Sequence, residues 1–276
     1  MKRGAVFEAW IRKRIDKNKN ALIIFNGGLG SGKSYGSLCL AHDISKIFGT
    51  HFTIKDNLDF DFIGILKKMQ MEKNAPAGTA FVLEEVGSMG SGAGAREWQS
   101  KANKLFNSFM QTSRHRRHIF IMNCPSFNSL DVVSRRLCHL RFEAVGIDYG
   151  KKISVFKPFF LQTNYDTGKI YQKYKRFEID GMTRVMNRMA FTLPPRDMIR
   201  EYEQAKSQFT TDLNKEIIRI DDQKKSTKPQ LKNRAKVVYA LLDAGKNTKE
   251  IGEMVGVTRR QVQYYARNRI RGNEEK

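Results

Sequence analysis

The chain has 276 residues, 40% hydrophobic and 11% aromatic, enough to bury a real core and to exclude global disorder. Its 50 Lys and Arg stand against 28 Asp and Glu, an excess of 22 positive charges that points to a polyanionic partner and away from a neutral small-molecule enzyme. Three cysteines (Cys39, Cys124, Cys138) without a C-x-x-C pair leave no disulfide framework, and no apolar run nears the roughly 18 residues of a membrane span, so a reduced, cytoplasmic protein without stable membrane insertion is expected.

Phe7, Ile11 and Ile15 recur at helical spacing within a basic stretch over 1–20, with Val6 and Trp10 beside them. This basic amphipathic helix has two open readings, one packed on the domain that follows and one lying on a membrane surface. Ala21–Phe25 is short, continuous and Ile-rich, the pattern of a fully buried strand. A glycine-rich turn leads into a helix over about 33–47, and Gly49 stands where a left-handed residue would end it. A strand near 51–54, a helix near 62–71 and a buried strand at Ala80–Leu83 follow. Gly87–Gly94 holds four glycines in eight residues and reads as a mobile loop. Trp98, Ala102, Leu105, Phe106, Phe109 and Met110 mark one face of a helix ending near 112. The cluster Arg114, His115, Arg116, Arg117 and His118 opens a strand ending at Asn123, and a short helix spans about 130–137. Ile153–Leu161 and Ile170–Ile179 flank Asn164–Gly168 as a hairpin would. Pro194 and Pro195 start a helix over about 195–209, and 221–230, with no apolar side chain besides Pro229, reads as a linker. The domains expected are 1–20, an α/β domain over 21–210, a linker over 211–230 and an all-α module over 231–276.

Gly27, Gly28, Leu29, Gly30, Ser31, Gly32, Lys33 and Ser34 fit G-x-x-x-x-G-K-[ST] in full, directly after a strand and before a helix. Glycines let consecutive backbone N–H groups turn onto phosphate oxygens, and the helix N-terminus adds its dipole. Lys33 supplies a point charge to the β- and γ-phosphates, the Ser34 hydroxyl takes one Mg²⁺ position, and Tyr35 completes the nucleotide-binding set. The fold class expected is therefore a P-loop NTPase with a RecA-like, mainly parallel sheet, binding ATP and Mg²⁺. Glu84 and Glu85 follow the apolar strand, at the sheet edge where ligands bind in open α/β folds. Glu84 is expected in the Mg²⁺ shell and Glu85 as the residue that polarises the attacking water. Asn123, a lone amide ending the apolar strand Ile119–Met122, either touches the γ-phosphate or water, or merely caps the loop before Pro125.

With these elements in order, the chain resembles the HerA–FtsK superfamily of DNA-pumping ATPases. Within it, the chain is similar to zonula occludens toxin-like (Zot) ATPases of filamentous phages and to compact viral and plasmid packaging or transfer ATPases. The resemblance covers roughly residues 18–180, and its more specific part is the run from Ser113 to Asn123 followed by Leu130 to Arg136. It implies that Glu85 is the catalytic acid and Asn123 the sensor. It also implies that Arg135 or Arg136 reaches the γ-phosphate across a subunit boundary, in a homo-oligomeric ring that is usually hexameric. Arg114, Arg116 and Arg117 compete for that role and are also candidates for DNA contact. Three departures stand out: Glu84 where aspartate is common, Asn123 where glutamine is common, and no membrane anchor of the phage Zot kind.

From Leu231 the pattern becomes all-helical. A first helix ends at Ala244 and Gly245, Asn247–Glu250 opens a second that Gly256 ends, and Thr258 with Gln261 forms a capping-box pattern for a third. Val262, Tyr265 and Ala266 are expected inward, leaving Arg259, Arg260, Gln263, Tyr264 and Arg267 outward. With Gln261, these are the expected DNA-binding residues of a helix-turn-helix, and the segment resembles modules of resolvase and sigma-factor type.

The positive excess is local: seven basic against two acidic residues in 1–20, eight against two in 95–140, and twelve against five in 228–276. These read as a basic entry helix, a basic rim beside the nucleotide site and a basic DNA-reading module. The functional expectation is a DNA-dependent ATP-hydrolysing motor from a virus or other mobile element. An ATP-switched helicase loader or replication initiator, and a nucleotide-gated transcription regulator, are the alternatives.

Overall fold

The strand Ala21–Asn26 (β1) is buried along its whole length, because its apolar residues face a helical layer on both sides. The computed structural model describes residues 3–71, 75–84, 108, 113–179 and 181–274, with side chains described except at 3, 113, 179, 216, 220–233 and 268–274. The chain divides into two units, Met1–Thr210 and Thr211–Lys276.

In the first unit β1 pairs in parallel with β4 (Ile119–Cys124) on one side and β5 (Leu140–Asp148) on the other. Beyond β4 lie β3 (Ala80–Leu83) and β2 (Leu58–Asp59), also parallel. β6 (Ile153–Thr163) runs antiparallel to β5, and β10 (Met189–Thr192) and β7 (Ile170–Lys173) both pair antiparallel with β6. The result is an eight-stranded, mostly parallel sheet, with β8 (Lys175–Ile179) and β9 (Met182–Met186) as a separate two-stranded ribbon.

Alternation along β1 splits the core. Ala21, Ile23 and Phe25 face one layer, where α1 (Arg3–Asp16) contributes Phe7, Ile11 and Ile15, and α2 (Lys33–Phe48) contributes Leu38, Ala41 and Ile44. Leu22 and Ile24 face the other, against Phe62, Ile65 and Met69 of α4 (Phe62–Met71) and the segment Phe127–Leu130 ahead of α5 (Val132–Leu137). The N-terminal helix thus buries its apolar stripe in the first unit's own core. Each such fully buried side chain is worth about 1.5–3 kcal/mol. Among the described residues no helix is long and apolar enough to cross a membrane.

Three elements depart from the sequence reading. The strand expected near 51–54 is replaced by a helical turn, α3 (Ile54–Asn57), because Thr53 caps it by accepting from Asp56 N–H and donates its own N–H to Asn57 Oδ1. The second arm of the hairpin breaks at Tyr174. Only Ile170–Lys173 pairs with β6, and 175–179 turns to β9 instead. The stretch 211–230, expected as a linker, is helical backbone inside α6 (Arg196–Asp243). Over 221–230, where the sequence has no apolar side chain besides Pro229, Lys and Gln are good helix formers, so a polar stretch is compatible with helix.

In the second unit, Asn247 caps α7 (Thr248–Val255) in a full capping box with Glu250, and Gly256 ends it in the left-handed region. Thr258 and Gln261 form the reciprocal cap of α8 (Arg259–Glu274). Val238, Ile251 and Val262 make the small core, flanked by Leu241, Val255, Val257 and Tyr265. Gly252 permits the tight turn, since a Cβ there would lie 2.7 Å from the Val257 carbonyl oxygen.

Candidate functional site: a phosphate loop with a buried carboxylate

The glycine loop joins the C-terminal end of β1 to α2, and the sheet dictates which positions must be glycine. A Cβ on Gly27 would come within 2.6 Å of Ala144 Cβ, and one on Gly32 within 2.8 Å of Ser154 Cβ. Gly30 and Gly32 also hold φ of 68° and 86°, the left-handed region that L side chains avoid. Lys33 at the first turn of α2 lies over the loop, its Nζ 2.8 Å from the Gly27 carbonyl and 2.6 Å from that of Gly28. Leu29 at the loop tip is fully exposed, and the Ser31 hydroxyl braces the loop by donating to the Gly28 carbonyl.

Beneath the loop, β3 and β4 deliver Glu84 and Asn123, both almost wholly buried. The Ser34 hydroxyl donates to Glu84 Oε2 at 3.3 Å, and Asn123 Nδ2 donates to Glu84 Oε1 at 2.5 Å and to Ser37 Oγ at 2.7 Å. The carboxylate fixes the amide's orientation, because turning it would set two acceptors against each other. Asn123 Oδ1 is therefore left buried without a hydrogen-bond partner. A cleft of about 470 Å³ opens over this cluster, lined by Gly30 to Tyr35, Glu84, Asn123, Ile147 and, from α6, Tyr202, Glu203 and Lys206. The Tyr35 hydroxyl donates to Glu203 Oε1 at 2.9 Å, and burial together with that carboxylate raises its pKa.

These features fit a nucleotide with a divalent cation. The loop has the shape that admits phosphate to backbone N–H groups, a hydroxyl stands beside a carboxylate, and Asn123, which lines the cleft, keeps a buried acceptor unsatisfied. Among the described residues no cluster of three His, Cys, Asp or Glu forms an independent metal site. All three thiols are free and buried, and burial pushes Cys39 and Cys124 each up to about 11, which leaves them inert.

The sequence-predicted residues separate into groups. Gly27 to Tyr35, Glu84 and Asn123 come together, and Glu85 lies outside the described residues, as do the Gly87–Gly94 loop and most of the helix expected after it. The basic segment is not beside the nucleotide site. Ala21 pairs with Ile119 and Asn26 with Cys124, so residues 114–118 enter at the opposite edge from the loop, about 20 Å away along six residues of strand. There Arg116 donates to the Met69 carbonyl at 3.1 Å, and Arg117 holds φ of 55°. Arg135 and Arg136 in the last turn of α5 do not line their own chain's nucleotide cleft, and Arg135 donates to Asn128 Oδ1. On α8, Arg259, Arg260, Gln263, Tyr264 and Arg267 are exposed, whereas the Gln261 oxygen is engaged in the helix cap. The sequence reading missed Ser37, although it sits one turn beyond Ser34. It also missed Tyr202, Glu203 and Lys206, which no local signal marks.

No protein-family model and no curated protein matches the chain. Among solved structures it is similar to the N-terminal domain of zonular occludens toxin from Neisseria meningitidis, at 11% identity, covering 56% of this chain and 94% of that one, with a TM-score of 0.33. That likeness is too distant for any residue role to be carried across.

Proposed function

We propose that the chain is an ATP-hydrolysing DNA motor of the HerA–FtsK kind, which translocates, packages or transfers DNA as a homo-oligomeric ring, and that its second unit is a helix-turn-helix. The observation that carries this reading is the buried Ser34–Glu84–Asn123 cluster at the glycine loop, with one acceptor oxygen left over. Backbone N–H groups of the loop and Lys33 hold the β- and γ-phosphates. Ser34 and Glu84 would hold Mg²⁺, whose role when bound is to neutralise charge on the transferred phosphoryl group. Both Nδ2 hydrogens of Asn123 are engaged, so its remaining group is an acceptor. An acceptor binds a water hydrogen and repels a phosphate oxygen, so Asn123 orients the attacking water and does not clasp the γ-phosphate. Glu85, next in sequence to Glu84, polarises that water, and Arg135 or Arg136 of a neighbouring subunit meets the γ-phosphoryl charge. In the second unit Arg259 and Arg260 open the recognition helix, where Arg pairs bidentately with guanine, while Gln261 serves the cap.

Phosphate release measured with and without duplex DNA tests this. DNA-stimulated turnover that both Lys33→Ala and Glu85→Gln abolish is the expected result. No turnover under any condition overturns the motor, and turnover indifferent to DNA replaces it with a loader or initiator.

A further inference from the structure

At the sheet edge opposite the glycine loop lies a second cleft, of about 390 Å³, lined by Arg14, Lys19, Arg114, Arg136, His139 and Tyr165 among others. Four cationic side chains converge here from α1, the turn after it, the segment before β4, and α5. Among the described residues no carboxylate lines the cleft, and none of the four cations forms an ion pair.

Two of the cations are held in place by the fold. Arg14 Nε donates to the Asn20 carbonyl at 3.0 Å and its guanidinium lies 5.7 Å from the Trp10 ring centre. Arg136 sits where a Cβ on Gly168 would fall, so the hairpin turn leaves room for that guanidinium. Like charges gathered without counter-charge are unfavourable unless an anion joins them. Burial, then the nearby Arg114, lowers the Arg14 pKa to about 10, and burial, then Arg14 and Lys19, lowers that of His139 to about 3. Beside the cations, the Tyr165 ring is 88% exposed at the tip of the 164–168 turn. An aromatic face next to clustered cations is what an unpaired nucleotide needs, stacking for its base and charge for its phosphate.

We propose that this cleft is a second phosphate site, one that grips the backbone of a nucleic-acid strand with Arg14, Lys19, Arg114 and Arg136 and offers Tyr165 to a base. The inference rests on the reading that the chain handles nucleic acid, but it requires neither ATP turnover nor the second unit. It differs from a nucleotide site in lacking a glycine loop and any carboxylate for a metal.

The test uses the full chain carrying Lys33→Ala and Arg259→Ala/Arg260→Ala, which silence the glycine loop and the proposed reading helix. Binding of a short fluorescent single-stranded oligonucleotide is followed against salt, and stabilisation by inorganic tripolyphosphate is followed by thermal melting. Adding Arg114→Gln/Arg136→Gln, both exposed positions, does not lower the ligand-free melting point, weakens oligonucleotide binding about tenfold, and flattens the salt slope by about 1.4, two contacts at about 0.7 each. Tyr165→Ala weakens the oligonucleotide about fivefold, the low end for a base–aromatic contact, and leaves tripolyphosphate stabilisation as it was. Unchanged oligonucleotide binding in the arginine variant overturns the site. Loss of tripolyphosphate stabilisation in the arginine variant, with Tyr165→Ala leaving the oligonucleotide untouched, assigns the cleft to a free polyphosphate and overturns the nucleic-acid assignment. Absent ATPase activity in the wild-type chain alongside a positive result here would sink the motor reading alone.

Discussion

Asn123 joins Glu84 and Ser37 through one amide, so its replacement separates structure from chemistry. Asn123→Ala removes a buried donor from Glu84 Oε1 and from Ser37 Oγ and is expected to cost about 1–3 kcal/mol, read as a lower melting temperature, together with loss of turnover. Asn123→Asp adds a carboxylate against a buried carboxylate and should destabilise more, with the deficit shrinking as pH falls and one acid protonates. His139 provides a second residue-level test. Its ring accepts the Leu22 N–H through Nδ1 at 3.0 Å, and burial, then Arg14 and Lys19, lowers its pKa from 6.5 to about 3. The unfolded chain then binds more protons between those values. Its contribution to stability is full above about 6.5 and is lost progressively as pH falls toward 3, with a slope under about 1.4 kcal/mol per unit. Melting at pH 7 and pH 4.5 should show this loss in the wild type and a smaller one in His139→Gln.

Among the elements, α2 is the one whose position the site depends on, and Gly36 sets how near it lies to the sheet. A Cβ there would fall 2.8 Å from the Phe156 ring. That ring is locked among Phe25, Phe142 and Phe191, with centroids 5.1, 6.2 and 5.7 Å away. Gly36→Ala gains up to about 1 kcal/mol of helix propensity and loses about 1–3 kcal/mol to overpacking. Because a fully buried ring cluster gives little, overpacking wins. The expected result is a lower melting temperature and weaker ATP binding, measured on the same preparation. On α7 the capping box predicts a confined effect. Asn247→Ala should cost about 1 kcal/mol in the second unit, seen as faster amide exchange over 248–255 with exchange in β1 and β4 unchanged.

For the whole molecule, the +22 charge gathers in three stretches of sequence, and one described cluster among them lies away from its expected place. Of the stretch 95–140 expected as a rim beside the nucleotide, the described basic cluster at 114–118 lies at the far edge of the sheet, because β1 and β4 are parallel and it enters β4 at its start. Arg259→Ala/Arg260→Ala, in the second unit, should weaken duplex DNA binding and reduce its salt dependence while leaving ATP affinity unchanged, as titrations of both ligands would show. Equal loss of ATP affinity would show that the two units are energetically coupled.

The sequence by itself determined what is local. The glycine loop, Lys33 and Ser34, the buried strands Ala21–Phe25 and Ala80–Leu83, and the caps at Asn247 and Thr258 are set by residue types within a few positions of each other, and short-range sterics and hydrogen bonding settle them. Tertiary structure decided what depends on register and strand order. Parallel pairing brought Asn123 onto Glu84 across 39 residues and sent Arg114 and Arg136 to the opposite edge. Packing of α6 brought Tyr202 and Glu203 over a loop about 170 residues earlier in the chain, as the Tyr35–Glu203 hydrogen bond records. Strand order and direction follow from the summed burial of many side chains on both faces of the sheet, a quantity no short window of sequence contains.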